Sequence, residues 1–76
     1  MKEAQQQLND LGYMAGEIDG KVGRKTIRAV YLFQWCNGLK TTKTLDADTL
    51  SWLQNERKID AQHCQYIINY QQFSLM

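Results

Sequence analysis

Gly16-Glu17-Ile18-Asp19-Gly20-Lys21-Val22-Gly23-Arg24-Lys25-Thr26 is the stretch whose reading decides the fold of this chain. Three glycines within eight residues, one of them in an Asp-Gly pair, make a tight connector, since glycine enters left-handed backbone without steric cost. Helical patterns lie on both sides of it. Its first job is therefore to fold one helix back against another.

Upstream of the connector, residues 2–11 read as a helix, because Ala4, Leu8 and Leu11 follow the i, i+4, i+7 spacing of one buried stripe. Gly12 falls where a left-handed C-terminal cap is wanted, with Tyr13 as its apolar closure. Downstream, a second helix is expected from about Arg24 to Asn37, stopped by Gly38. At about 100° per residue, Ile27, Ala29, Val30 and Phe33 share a broad apolar face that reads as core. Arg24, Arg28, Tyr31 and Trp35 fall on the opposite side within about 60° of arc. Leu39 is expected to turn back into the core before a polar loop from Lys40 to Thr44. Asp46 then caps a third helix whose buried side is Leu50 and Leu53, and Asp48 suits its dipole. Gly23-x-x-Thr26 and Asp46-x-x-Thr49 both open helices, an echo too weak to name a repeat. Residues 55–59 break the pattern, and Asp60 caps a last helix from Ala61 to about Gln72. That helix carries Ala61, Cys64, Ile67, Ile68 and Leu75 on one face and Tyr66, Tyr70 and Phe73 on the other, so it needs covering on more than one side. The fold class is all-α.

A chain of 76 residues is one small domain, near the size at which only about 60% of the unfolded surface is buried. Hydrophobic and charged shares of 43% and 22% are those of a globule rather than a disordered tail. No apolar run is long enough to span a membrane, so no membrane insertion is expected. Met1-Lys2 leads directly into polar sequence, so no signal peptide is read and synthesis in the cytoplasm is expected. The net charge is +1, but its distribution is uneven: six cations (Lys21, Arg24, Lys25, Arg28, Lys40, Lys43) and no acid lie between Gly20 and Leu45. Two cysteines, Cys36 and Cys64, are too few for a disulfide scaffold and lack CxxC spacing; a single disulfide is possible, and the redox compartment stays open.

Catalytic constellations are missing from the pattern. His63 is adjacent to Cys64, and neighbours on a helix diverge by about 100°, so the two cannot form a nucleophile–base pair. A single histidine without clustered cysteines supplies no metal ligand set. Asp46 and Asp48 are better explained by the start of a helix than as paired carboxylates. The expectation is a protein that is not an enzyme and needs no cofactor or metal.

Residues 1 to about 54 resemble the peptidoglycan-binding domain found beside the catalytic domains of cell-wall hydrolases and phage endolysins. Ala4-Gln5-x-x-Leu8-x-x-Leu11-Gly12-Tyr13 matches the family's first helix and its glycine stop. Gly16-x-x-Asp19-Gly20-x-Val22-Gly23-x-x-Thr26 matches its connector. Ala29-Val30-x-x-Phe33-Gln34-x-x-x-Gly38-Leu39 matches its second helix, and Leu45-Asp46-x-x-Thr49 the entry of its third. The chain departs from the pattern at Ala4 and Val22, where the family has leucine and an aromatic, at Glu17 and Arg24 in place of frequent prolines, and at Lys43 in place of a frequent glycine. The resemblance implies a compact three-helix bundle over residues 1–54, to which residues 55–76 add a C-terminal helical extension packed on the domain or on a partner. It implies non-catalytic attachment to peptidoglycan, through glycan or stem peptide, in a phage or bacterial lysis context. The protein would then act at the cell wall or periplasm after lysis or export, in company with a hydrolase domain or another protein partner.

On that reading the ligand residues are Tyr13, Asp19, Lys21, Arg24, Lys25 and Arg28. Lys21, Arg24 and Lys25 stand at or before a helix N-terminus, where backbone N–H groups favour anions such as stem-peptide carboxylates. Their plainer explanation is neutralisation by Glu17, Asp19 or solvent. Asp19-Gly20 reads first as a turn in which the carboxylate accepts from backbone amides. Tyr13 is expected to pack on the helix end with its hydroxyl free at a groove rim. The outward stripe of Arg24, Arg28, Tyr31 and Trp35 has three explanations: sugars or carboxylates, single-stranded nucleic acid, or a dock for the last helix. The dock is preferred and nucleic acid disfavoured, because Tyr31, Leu32 and Trp35 covered by Cys64, Ile67 and Ile68 accounts for both surplus apolar surfaces; Cys36 and Cys64 would then approach each other. The competing function is a protein-interaction or assembly module that keeps the fold without wall binding.

Overall fold

A computed structural model describes residues 1–64; Ile67, Ile68 and the rest of the expected last helix lie outside the described residues. Three helices run in order, α1 (Lys2–Asp10), α2 (Arg24–Cys36) and α3 (Ala47–Leu53), and residues 61–64 are again helical. Among the described residues the only regular elements are helices, and α1 packs on both α2 and α3. No helix among the described residues is long and apolar enough to cross a membrane.

The ends of the helices follow from local chemistry. After α1 the Gly12 amide donates to the Asn9 carbonyl at 2.9 Å and the Tyr13 amide to the Leu8 carbonyl at 2.9 Å. This is the paired hydrogen bonding of a Schellman stop, which needs the left-handed backbone that Gly12 adopts at φ 87°. α2 ends the same way at Gly38, where Leu39 donates to the Gln34 carbonyl at 2.8 Å. α3 starts on Asp46, whose carboxylate accepts from the Thr49 amide at 3.0 Å and the Thr49 hydroxyl at 2.6 Å. Those bonds stabilise the ionised form and hold the Asp46 carboxyl below its ordinary range.

Leu8, Ala29, Val30, Phe33 and Leu53 form the centre of the core, with Phe33 fully buried and the Tyr13 ring edge-on to it at 5.7 Å. Two residues expected in the core are exposed. Ile27 is 38% exposed, because it lies about 120° around α2 from Phe33. Leu50 is 44% exposed. The buried line of α3 runs through Thr49 and Leu53, and Trp52 rather than Leu50 takes the second inward place. Its indole N–H donates to the Asn37 side-chain oxygen at 2.6 Å, which supplies the partner a half-buried tryptophan needs.

Two fully buried glutamines close the two long loops. Gln5 on α1 donates to the Lys21 carbonyl at 2.9 Å and the Thr26 hydroxyl at 3.2 Å, and accepts from the Gly20 amide at 2.9 Å. Gln34 on α2 donates to the Thr44 carbonyl at 3.0 Å, the Thr42 hydroxyl at 2.9 Å and the Thr49 hydroxyl at 2.8 Å, and accepts from the Lys43 amide at 2.9 Å. An unpaired buried amide would cost about 1–3 kcal/mol. Here each side chain is satisfied and bolts a loop to a helix.

Candidate functional site

A groove of about 570 Å3 runs along one side of α2. Its length on that helix is set by Lys25, Arg28, Leu32 and Cys36, which follow i, i+3, i+7, i+11 spacing and share one face. Met14, just before the connector, and Gly16, its first residue, supply the near wall, and residues 61–64 supply the far wall through Ala61 and Cys64. The volume is within the range of small-ligand sites, about 300–1,000 Å3.

Asn9 positions the near wall. Its side-chain oxygen accepts from the Ala15 amide at 2.6 Å, and its nitrogen donates to the Gly16 carbonyl at 2.9 Å. Between these anchors Met14 is held in left-handed backbone at φ 57° with its side chain 78% exposed. A long apolar residue in that conformation carries local strain and presents its thioether to solvent. Gly16 lets the connector approach α2, since a Cβ there would meet the Lys25 side chain at 3.2 Å.

Charge is concentrated on the α2 rim. Lys25 and Arg28 are exposed, no carboxylate lines the groove, and neither cation has an acidic partner within 4.0 Å among the described residues. The α2 N-terminus adds no acid in its first turn and no side-chain cap at Gly23. Field lines from both cations therefore enter the groove without local neutralisation. The floor beneath them is apolar, made of Leu32 and the Cys36–Cys64 disulfide.

The structure brings together some of the residues singled out in the sequence and separates others. Lys25 and Arg28 stand on the groove. Lys21 and Arg24 are exposed away from it. Asp19 takes its turn role, accepting from the Lys21 amide at 2.8 Å, chiefly for which its carboxyl lies below the usual value. Tyr13 lines the groove but corrects the expectation of a free hydroxyl: it is 5% exposed and donates to the Ile59 carbonyl at 2.5 Å. Burial pushes its phenol up to about 12, with the Asn37 amide opposing by less and the Asp60 charge adding to the rise. Of the expected dock, Leu32 and Cys64 meet at the groove. Tyr31 lies half-buried with the Lys43 ammonium 5.6 Å from its ring centroid, and Trp35 is 45% exposed. Cys36 and Cys64 not only approach but are bonded.

Met14 and Asn9 were not legible as site residues, because what marks them is a backbone angle and a pair of side-chain bonds rather than a residue pattern. The Lys25–Arg28–Leu32–Cys36 line is legible in the helical spacing, beside the Arg24–Arg28–Tyr31–Trp35 stripe with which it shares Arg28. Among the described residues no group of three or more potential metal ligands is gathered.

Residues 1–53 match the family described as "Putative peptidoglycan binding domain". The chain belongs to that family. The match ends at the close of α3, so residues 61–64 on the far wall of the groove lie beyond the shared module. A Kitasatospora aureofaciens protein described as "Uncharacterized protein in bpoA1 3'region" is 53% identical over 32 residues, 42% of this chain and 27% of its own. The match thus spans about a quarter of that relative's length. No solved structure matches the chain.

Proposed function

We propose that this chain is a non-catalytic targeting module that holds peptidoglycan in the groove along α2, with Lys25 and Arg28 receiving a stem-peptide carboxylate. The observation that carries this reading is a groove with two unneutralised cations on one rim, an apolar floor and no carboxylate in its lining. Stem peptides offer the matching chemistry, free carboxylates beside small apolar side chains. Met14, projecting at the near wall, would cover the apolar part of the ligand. Asp19 and Tyr13 act structurally in this reading, and Lys21 and Arg24 contribute only long-range attraction. A shallow site of this size binds weakly, and avidity through an attached hydrolase or other partner would raise retention on the wall. The Cys36–Cys64 disulfide favours work outside the reducing cytoplasm, as at a cell wall reached by export or lysis of a bacterial or phage-infected cell.

Sedimentation with purified insoluble peptidoglycan tests the proposal. The protein should pellet at low salt, and the double charge reversal Lys25→Glu/Arg28→Glu should reduce pelleting about tenfold or more while the exposed positions leave folding unchanged. Equal pelleting of wild type and variant would sink the groove assignment. A second reading, an assembly module, is favoured by the exposed apolar side chains of α2, Ile27 and Trp35, which are 38% and 45% exposed. Elution as a strict monomer at high concentration would remove its support.

A further inference from the structure

The groove has two walls of different origin. The near wall and α2 belong to the family match over residues 1–53, whereas Ala61 and Cys64 come from the stretch after it. That stretch is tied back at successive points. The Ile59 carbonyl accepts from Tyr13 and the Ile59 amide donates to the Asn37 side-chain oxygen at 2.7 Å. The Ala61 amide donates to the Leu11 carbonyl at 2.7 Å. Gly12 permits this approach, since a Cβ there would stand 3.3 Å from that of Ala61. Beyond Ala61 the fastening passes to the disulfide, which joins the end of α2 to Cys64 with the Cα atoms 5.5 Å apart. Hydrogen bonds hold the start of the far wall; a covalent bond holds its end.

We propose that the Cys36–Cys64 disulfide completes the ligand groove, fixing residues 61–64 as a far wall that lies beyond the family match, so that the oxidised chain takes its ligand and the reduced chain loses it. The proposal rests on the peptidoglycan reading above and adds its regulation. The step is a thiol–disulfide exchange with an external dithiol. One dithiol sulfur attacks a cystine sulfur, and the second displaces the mixed disulfide. The dithiol leaves as a cyclic disulfide, and Cys36 and Cys64 each end as a thiol. The bond closes a loop with a sequence separation of 28, so its loss frees the end of the wall and returns chain entropy to the unfolded state. The Schellman stop, the Asp46 cap and both glutamine bolts remain in the reduced chain, so α1, α2 and α3 persist while the wall, still hydrogen-bonded at Ile59 and Ala61, comes loose at Cys64.

The full chain is compared before and after dithiothreitol by peptidoglycan sedimentation and by the backbone amide signals of Gly16, Arg28 and Leu32. Reduction should shift those signals, leave far-UV circular dichroism largely intact and lower pelleting about tenfold. Cys64→Ser should behave as the reduced protein without any reductant. Ala61→Glu, which keeps the disulfide, should also lose about tenfold by placing a carboxylate on the far wall opposite Lys25 and Arg28. Equal pelleting of oxidised and reduced protein, or of wild type and Ala61→Glu, overturns the proposal and leaves peptidoglycan binding standing. No pelleting of the oxidised chain overturns the peptidoglycan reading, and this proposal with it.

Discussion

The loop that leads into α2 and the loop that leads into α3 are closed by the same device and finished in opposite ways. Each is pinned by one buried glutamine that grips a loop carbonyl, a loop amide and a threonine hydroxyl in the next helix. In both, the amide that the glutamine oxygen accepts from belongs to a residue in left-handed backbone, Gly20 at φ 77° and Lys43 at φ 66°. The loop into α3 then ends on an aspartate cap with a further acid in the first turn, the arrangement a helix dipole favours. The loop into α2 ends on Gly23, with no side-chain cap and two cations where acids would be better placed. The well-finished loop faces away from the groove, and the under-finished one borders it. On the proposed function, stability is given up on the side where charge and open backbone would serve a ligand.

The largest effects should come from the shared device. Gln5→Leu and Gln34→Leu each strand buried loop groups, and each should lower unfolding free energy by about 2–4 kcal/mol in urea titrations. A loss below about 0.5 kcal/mol at either site would mean that loop is held by other contacts.

The left-handed positions come next and separate the two loops by sign. Gly20→Ala should destabilise by about 1–2 kcal/mol, because a side chain is forced into left-handed backbone. Lys43→Gly relieves that strain and should stabilise by less than about 1 kcal/mol, after the lost contact with Tyr31 and the added freedom of the unfolded chain. Destabilisation by Lys43→Gly would show that the lysine contact outweighs the strain.

The smallest expected difference is at the caps. Asp46→Ala should cost about 1 kcal/mol, whereas Gly23→Ser should gain a few tenths, in a position where an added side chain meets nothing within 4 Å. If Gly23→Ser also weakened peptidoglycan retention, the open N-terminus of α2 would gain a part in binding.

Most of the architecture was readable in order along the chain. Gly12 and Gly38 stop helices, Asp46 and Asp60 start them, and the apolar spacing marks Leu8, Phe33 and Leu53. These signals work because the groups involved lie within a turn or two of each other, and the backbone hydrogen bonds they satisfy are local. Faces were read less well at their edges. Ile27 and Leu50 are apolar and close to the buried stripe, but the neighbouring helix covers only part of that arc. The candidate site is half legible: charge marks Lys25 and Arg28 in the sequence, while Met14 and Ala61 carry no signal in residue type.

The sequence by itself determined the all-α class, the three helices of the family module and their caps, since each rests on interactions between near neighbours. Only the tertiary structure decided that Gln5 and Gln34 are buried bolts, that the Tyr13 hydroxyl belongs to Ile59, and that Cys36 is bonded to Cys64. Those partners are separated by 8 to 46 residues. Whether a polar side chain at such a distance is a surface group or a buried clasp depends on how the connector folds the helices together, and residue order alone does not carry that.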